Sequence, residues 1–137
     1  MAKRRRGARS GARPRPSRHR SFESLVELAV ASIPQPFASA LGDVAIVIDD
    51  EPSAEQRREN EIAVDDTLYG LYEGVPRTEW GADSAPFPSR IVLFRLPLEA
   101  DFADPDELAD EVWATVVHEL AHHLGIDDAR LEELGID

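Results

Sequence analysis

The chain has 137 residues, a length that accommodates one domain and leaves no room for a second core. It contains no cysteine, which excludes disulfide bonds and thiolate metal sites, so any metal would be bound by imidazole and carboxylate groups. No segment approaches the roughly 20 apolar residues of a membrane-spanning helix, and a soluble, cytoplasmic protein without membrane contact is expected.

The charge is divided unevenly along the chain. Nine of the fifteen basic residues lie in residues 1–20, where there is no acidic residue, and the other six face all 27 acidic residues, a formal net charge of −21. Residues 1–20 contain almost nothing to bury, which predicts a disordered basic arm before a domain at 21–137. Such an arm could contact nucleic acid or another polyanion. The alternative, a tail without a specific partner, is favoured by the absence of aromatic residues that stack on bases.

The first predicted helix begins at Ser21. Apolar residues recur there every three or four positions, as on one face of a helix, and Pro34 and Pro36 end the pattern. This face is expected to pack against the core. Its apolar positions are Phe22, Leu25, Val26, Leu28, Ala29 and Ile33.

Three strands are predicted after this helix. Branched residues from Val44 to Ile48 predict the first, and a short run around Leu68–Tyr72 predicts the second. Residues 90–98 are apolar on both faces and predict a well-covered third strand. Residues 53–66 are polar and could form a loop or a short helical turn, and the proline-containing residues 81–89 are expected to form an irregular loop.

A long helix is predicted near the C-terminal end of the sequence. Asp104 is placed to cap it, Pro105 suits its first position, and Glu107 can complete a capping box. Gly125 is a natural stop, because glycine adopts the left-handed conformation that ends many helices. A short helix from Asp128 to Leu134 is predicted to follow.

The long predicted helix carries the segment "HELAHH", residues 118–123. His118 and His122 are one turn apart on the same face, where two imidazoles can bind one metal ion. Glu119 could take a proton from a metal-bound water and pass it to a leaving amine. This spacing is the signature of zinc metalloproteases; the alternative, a surface helix with chance His and Glu residues, is disfavoured by the apolar flanks. His123 points about 100° away from His122 and is predicted to be a core or supporting residue.

A third ligand is needed, because a catalytic zinc has three protein ligands. A glutamate on a distant later helix does not fit a chain that ends at Asp137. In the other known arrangement a glycine turns the chain back under the metal, which gives Gly125 at the turn and Asp128 as the ligand. The alternative role for Asp128 is the N-cap of the next helix, a role that Asp127 could also take.

Three segments of the chain resemble the bacterial minimal zincin family, small proteins described as zincin-like metallopeptidases. They are "TVVHELAHHLGIDDARLEELG" (115–135), "LYGLYEGVPRTEW" (68–80) and "RIVLFRLPLE" (90–99). The resemblance covers roughly residues 21–137. It implies a small α+β fold in which an N-terminal helix and the active-site helix pack on a small mixed β-sheet, followed by a short C-terminal helix.

The resemblance also implies a function. His118, His122 and Asp128 would bind zinc, and Glu119 would be the general acid/base in hydrolysis of a peptide bond by a metal-activated water. Zinc is preferred to iron because of the helical spacing and Glu119, although iron also uses two histidines and a carboxylate. Family members lack the larger C-terminal subdomain of other zincins, so one wall of the usual substrate cleft is expected to be missing.

Substrate contacts are less well defined by the sequence. The acidic domain is expected to favour basic peptide or protein substrates. Tyr69 and Tyr72 are candidates for stabilising the oxyanion, although tyrosines in a strand are more often simply packed. The alternative function is a non-catalytic zinc-binding interaction protein whose basic arm contacts nucleic acid or another polyanion. A structural zinc is normally closed by four protein ligands, so Glu119 beside three ligands favours the enzyme.

Overall fold

A three-stranded sheet and a long helix packed against it position the residues of interest. The computed structural model describes residues 18–63, 65–74 and 89–135, with side chains from residue 21 onward. A small α+β fold, as predicted, is confirmed. The elements in chain order are α1 (Arg18–Ala31), α2 (Phe37–Ala40), a 3-10 turn (Leu41–Asp43), β1 (Val44–Asp49), α3 (Ala54–Glu59), β2 (Gly70–Glu73), β3 (Ser89–Phe94), α4 (Arg95–Asp101), α5 (Pro105–Leu124) and α6 (Asp128–Glu133).

The strand β3 lies in the centre of the sheet, whose order is β1-β3-β2. β1 runs parallel to β3, with Val44 opposite Ser89, and β2 runs antiparallel to it, with Tyr72 opposite Ile91. The first two strands lie within one or two residues of their predicted positions. Residues from Ile91 to Phe94 are fully buried, which confirms the prediction of a strand covered on both faces.

Alternate side chains of β3 enter two apolar clusters, because successive residues of a strand point to opposite faces. Ile91 and Leu93 belong to the main core, which also contains buried residues of α1, α2 and α5. Helix α5 is thereby held against one face of the sheet, where it contacts β2 and β3. The smaller cluster on the other face consists of Leu68, Leu71, Val92 and Phe94.

One face of helix α1 belongs to the main core, as predicted, and packs against α5. The helix begins at Arg18, so the last three residues of the arm that was predicted to be disordered are helical. The prediction that Leu28 lies on the buried face is wrong, since Leu28 is 75% exposed. The buried positions of this helix are Phe22, Val26, Ala29 and Ile33. They are spaced by four, three and four residues, and Leu28 falls outside that spacing.

The predicted third strand is too long at its C-terminal end. The strand ends at Phe94, and the seven residues that follow form α4. Pro97 has no N–H to donate to a neighbouring strand, whereas the first turn of a helix does not require one. Arg95 also forms ion pairs with Glu99, one turn later at 2.8 Å, and with Asp50 at 3.0 Å, which stabilises the start of this helix.

Two helix starts differ from each other in their capping. The helical alternative for residues 53–66 is found: the Ser53 hydroxyl accepts from the Gln56 N–H at 3.0 Å, and the Gln56 side chain accepts from the Ser53 N–H at 2.9 Å. Asp104 occupies the N-cap position of α5, but its side chain makes no capping bond. The predicted capping box with Glu107 is therefore wrong; both residues are exposed, and water can satisfy the first N–H groups of the helix.

Parts of two predictions lie outside the described residues. These are residues 1–17 of the basic arm and residues 81–88 of the predicted loop, whose last residue, Ser89, opens β3 instead. Within the described ranges, no helix is long and apolar enough to cross a membrane.

Candidate metal centre

The C-terminal part of α5 carries four polar residues at the boundary of the core. His118 and His122 are partly exposed, whereas Glu119 and His123 are 1% and 0% exposed. Residues four apart lie on the same side of a helix, so His118 and His122 face solvent, and Glu119 and His123 face the sheet. His123 is thus buried in the core, as predicted.

Gly125 ends α5 in the left-handed conformation, with φ of +75°, as predicted. The N–H of Gly125 bonds the carbonyl of His122 at 3.1 Å, and the N–H of Ile126 bonds the carbonyl of Ala121 at 2.8 Å. This pair of bonds defines a Schellman motif, in which glycine is the usual residue at this position. The motif reverses the chain direction immediately after the histidines.

Asp128 lies beside His118 after this reversal, with its Oδ1 3.0 Å from His118 Nε2. One ligand atom each from His118, His122 and Asp128 lies within 4.8 Å of the others. The side chains are 22%, 41% and 74% exposed, so the group is open to solvent. The N-cap of α6 is Asp127, whose side chain accepts from the Arg130 N–H at 2.9 Å. Asp128 therefore does not have the capping role that was its alternative.

These three side chains form a chemically suitable donor set for zinc. Zinc binds neutral imidazole nitrogen and carboxylate oxygen, and its catalytic sites use three protein ligands with one open position. The two imidazole rings lie edge to face, with centroids 5.6 Å apart. In the described part of the chain, no second group of three such residues is found.

The carboxylate of Glu119 is buried between α5 and β2. Its Oε1 accepts a hydrogen bond from the backbone N–H of Tyr72 at 3.0 Å and lies 3.3 Å from His122 Nδ1. Burial raises the pKa of this carboxyl, but the hydrogen bond and the charge of His122 lower it, and the pKa lies below its ordinary value. Glu119 is thus a buried carboxylate that is held in place next to the donor set.

Tyr72 connects the buried His123 to the sheet. Its hydroxyl lies 2.9 Å from His123 Nδ1 and donates to Ser89 Oγ at 3.0 Å. His123 Nε2 lies 3.5 Å from Asp43 Oδ2, in the turn before β1. Ser89 and Asp43 were not predicted as part of the site, because they are 17 and 80 residues away from their partners in the chain and no local pattern marks them.

An open cavity of ≈ 480 Å³ lies between the end of β2 and the turn at Gly125. It is lined by Tyr72, His122 and residues 125–128, with Gly74 beside them. Tyr69, by contrast, is fully buried. Its hydroxyl donates to Asp101 Oδ2 at 2.5 Å, and its ring packs edge-on against Phe102. Of the two tyrosines considered for the oxyanion, the structure brings only Tyr72 to the cavity.

The chain matches one protein family and a solved structure. A family model described as "Zincin-like metallopeptidase" matches residues 41–136, more than half of the chain. A conserved hypothetical protein from T. thermophilus has a similar structure, with a TM-score of 0.52 and 23% identity over 87% of this chain and 99% of that chain. At this identity the likeness concerns the fold alone. No curated protein matches the chain.

Proposed function

The chain belongs to the zincin-like metallopeptidase family, and on this premise we propose that it is a zinc-dependent peptidase. The observation that carries the proposal is the position of Glu119. A buried carboxylate, held by the Tyr72 N–H at 3.0 Å, lies against a donor set of three residues that borders a cavity. A purely structural metal would be closed by four ligands and would need no such carboxylate.

In this proposal, His118, His122 and Asp128 hold the zinc ion. The donor chemistry fits, since two imidazoles and one carboxylate are ligands that zinc accepts. When bound, zinc supplies a Lewis acid that polarises a peptide carbonyl and makes water a better nucleophile. The reversal at Gly125 explains how one short segment can present all three donors.

The proposed task of Glu119 is to move a proton. Its carboxylate takes a proton from the attacking water and delivers it to the nitrogen of the leaving amine. Because the N–H of Tyr72 fixes Oε1, the carboxylate needs little reorganisation during the reaction.

The proposed substrate is a peptide or protein segment of basic character. Residues 21–137 contain six basic and 27 acidic residues, and Asp127, which is not one of the proposed ligands, lines the cavity. Attraction between this charge and a basic segment raises the rate of encounter and is screened by salt. Cleavage of basic peptides should therefore slow with added salt more steeply than cleavage of neutral peptides of the same length.

The test is cleavage of a diverse peptide library by the zinc-loaded protein, read by mass spectrometry beside Glu119→Gln. Glutamine keeps the volume of the side chain and removes its acid–base function. Glu107→Gln, an exposed change at the other end of α5, is the matched control. New termini made by the wild type and by Glu107→Gln, but not by Glu119→Gln, support a peptidase and report the preferred side chains.

A library left intact by zinc-loaded wild type would contradict the proposal. Zinc content is measured on each variant, so that loss of metal is not mistaken for loss of chemistry. Zinc binding without any cleavage would favour the alternative, an interaction protein whose basic arm contacts nucleic acid or another polyanion.

A further inference from the structure

Tyr72 contacts α5 at two points that are one helical turn apart. Its backbone N–H donates to Glu119 Oε1 at 3.0 Å, and its hydroxyl lies 2.9 Å from His123 Nδ1. Glu119 and His123 are four residues apart on α5 and therefore lie one above the other. A single residue of β2 is thus bonded both to the proposed proton acceptor and to a buried imidazole outside the donor set.

Both ends of this contact are fixed further into the fold. The Tyr72 hydroxyl donates to Ser89 on β3, a diagonal neighbour across the sheet because Tyr72 lies opposite Ile91. His123 Nε2 lies 3.5 Å from Asp43 Oδ2, next to the start of β1. His123 is 0% and Ser89 4% exposed, so bulk water has little access to their contacts with the Tyr72 hydroxyl, whereas the Asp43 side chain is 35% exposed. The contacts link α5 to β2, to β3 and to the turn before β1 beside the candidate site.

We propose that Tyr72 and His123 are positioning residues for Glu119. They hold β2 at the distance from α5 at which the Tyr72 N–H meets Oε1. The inference rests on the proposed peptidase function, but neither side chain transfers the proton; each acts through the carboxylate. Loss of the contact between phenol and imidazole lets β2 shift along the helix, and a misplacement of about 1 Å costs an enzyme on the order of 100-fold in rate.

Removal of one hydroxyl tests the proposal, with a matched control three residues away. Tyr72→Phe keeps the ring that borders the cavity and removes the contacts with Ser89 and His123. Tyr69→Phe also removes a buried hydroxyl bond, to Asp101, which is not part of the candidate site. For Tyr72→Phe we expect kcat to fall about 10–100-fold with KM within about twofold, and for Tyr69→Phe we expect kcat within about twofold of the wild type. A rise in KM alone would indicate that the Tyr72 hydroxyl contacts the substrate. An equal loss of kcat in both variants would indicate that loss of any buried hydroxyl bond loosens the fold. Either result would overturn the proposal.

Substitutions of His123 supply a second test. His123→Phe keeps a buried aromatic ring and removes both ring nitrogens, whereas His123→Asn places an amide near the position of Nδ1 and can keep the contact with Tyr72. We expect kcat to fall in the phenylalanine variant and to be largely restored in the asparagine variant. Zinc affinity, measured by competition with a chelator, should stay within about threefold of the wild type in both. Zinc affinity that falls together with kcat would assign His123 to metal binding instead.

Hydrogen exchange of the amide at position 72 gives a readout that does not depend on activity. In the metal-free protein, followed by NMR, this amide should exchange about tenfold faster in Tyr72→Phe than in Tyr69→Phe, because the bond to Glu119 opens more often. Unchanged exchange in Tyr72→Phe and His123→Phe would overturn the positioning role even if the wild type cleaves peptides. A wild type that cleaves nothing contradicts the peptidase proposal, and the exchange at position 72 still decides whether Tyr72 and His123 fix the contact with Glu119.

Discussion

Replacement of Gly125 by alanine should destabilise the fold by a modest amount. Gly125 has φ of +75°, and the left-handed region costs a residue with a Cβ about 1–2 kcal/mol. Alanine also restricts the unfolded chain, which returns about 0.4–1 kcal/mol. The expected loss in the free energy of unfolding of Gly125→Ala is therefore about 1 kcal/mol.

The same change should weaken zinc binding, because this turn carries Asp128 to within 3.0 Å of His118. A strained turn opens in the metal-free protein, and zinc must then close it again. Closing the turn again costs up to about 1–2 kcal/mol, so the dissociation constant for zinc should rise by at most about 5- to 30-fold. Gly125→Asn should lie between the wild type and Gly125→Ala, since asparagine tolerates this conformation better.

The matched control is Gly135→Ala. Gly135 has φ of +72° and a Cβ there would meet nothing within 4 Å, so alanine carries the same backbone cost at a place that no candidate donor follows. Urea unfolding of the metal-free variants measures stability, and chelator competition measures zinc affinity. Equal zinc affinity in the two alanine variants would refute the reasoning, since the turn at Gly125 would then not control the position of Asp128.

Further substitutions test separately the metal donors, the cap of α6 and the packing of β2 on α5. Asp128→Ala should lower zinc affinity by about tenfold or more. Asp127→Ala should leave zinc affinity unchanged and lower the free energy of unfolding by about 1 kcal/mol through loss of the α6 cap. Zinc affinity is measured by chelator competition and stability by urea unfolding. Loss of zinc affinity in Asp127→Ala but not in Asp128→Ala would contradict the assignment of Asp127 as cap and Asp128 as donor. Zinc at 100 times its dissociation constant should raise the free energy of unfolding of the wild type by about 2.7 kcal/mol; a melting temperature that responds neither to zinc nor to a chelator would argue against a metal site. Gly70→Ala should cost about 1–3 kcal/mol, because its Cβ would overlap the Thr115 methyl group. Gly42→Ala, in open space, should cost less than about 0.5 kcal/mol, and urea midpoints that shift equally would contradict close packing of β2 on α5.

The arrangement of the candidate site could be predicted from the sequence because it is local. His118, Glu119 and His122 are related by the geometry of one helical turn. Gly125 is the left-handed residue that ends the helix, and Asp128 occupies the ligand position that the known arrangement of this motif places three residues after that glycine. Neither relation requires knowledge of the sheet, and the structure places the three expected donors within 4.8 Å of one another. Their roles in zinc binding and catalysis stay predictions.

The contacts that support the site could not be predicted, because they depend on the order and register of the strands. Tyr72 meets Glu119 and His123 because β2 pairs with β3 in one register and α5 lies beside it. A shift of one residue would turn the Tyr72 side chain to the other face of the sheet. No pattern within a single segment specifies that register.

The C-terminal end of β3 could not be predicted for a different reason. The apolar run from Ile91 continues through Leu98, and periodicity alone does not distinguish a buried strand from a buried helix over such a short run. Pro97 was the available signal, since proline does not occur inside a central strand. Proline at position 97 therefore favours the change from strand to α4.

All three candidate donors lie within eleven consecutive residues, 118–128. An ion bound there closes only a short loop. It would therefore cross-link the end of α5 to the start of α6, and it would not connect distant parts of the chain. The sheet and α1 are stabilised by their own apolar core, which contains none of the three donors. Leu131 of α6 is also buried in this core, so the core and not the ion holds α6 in place. Metal loss should therefore loosen only the contact of Asp128 with α5 and leave the sheet and the helices folded.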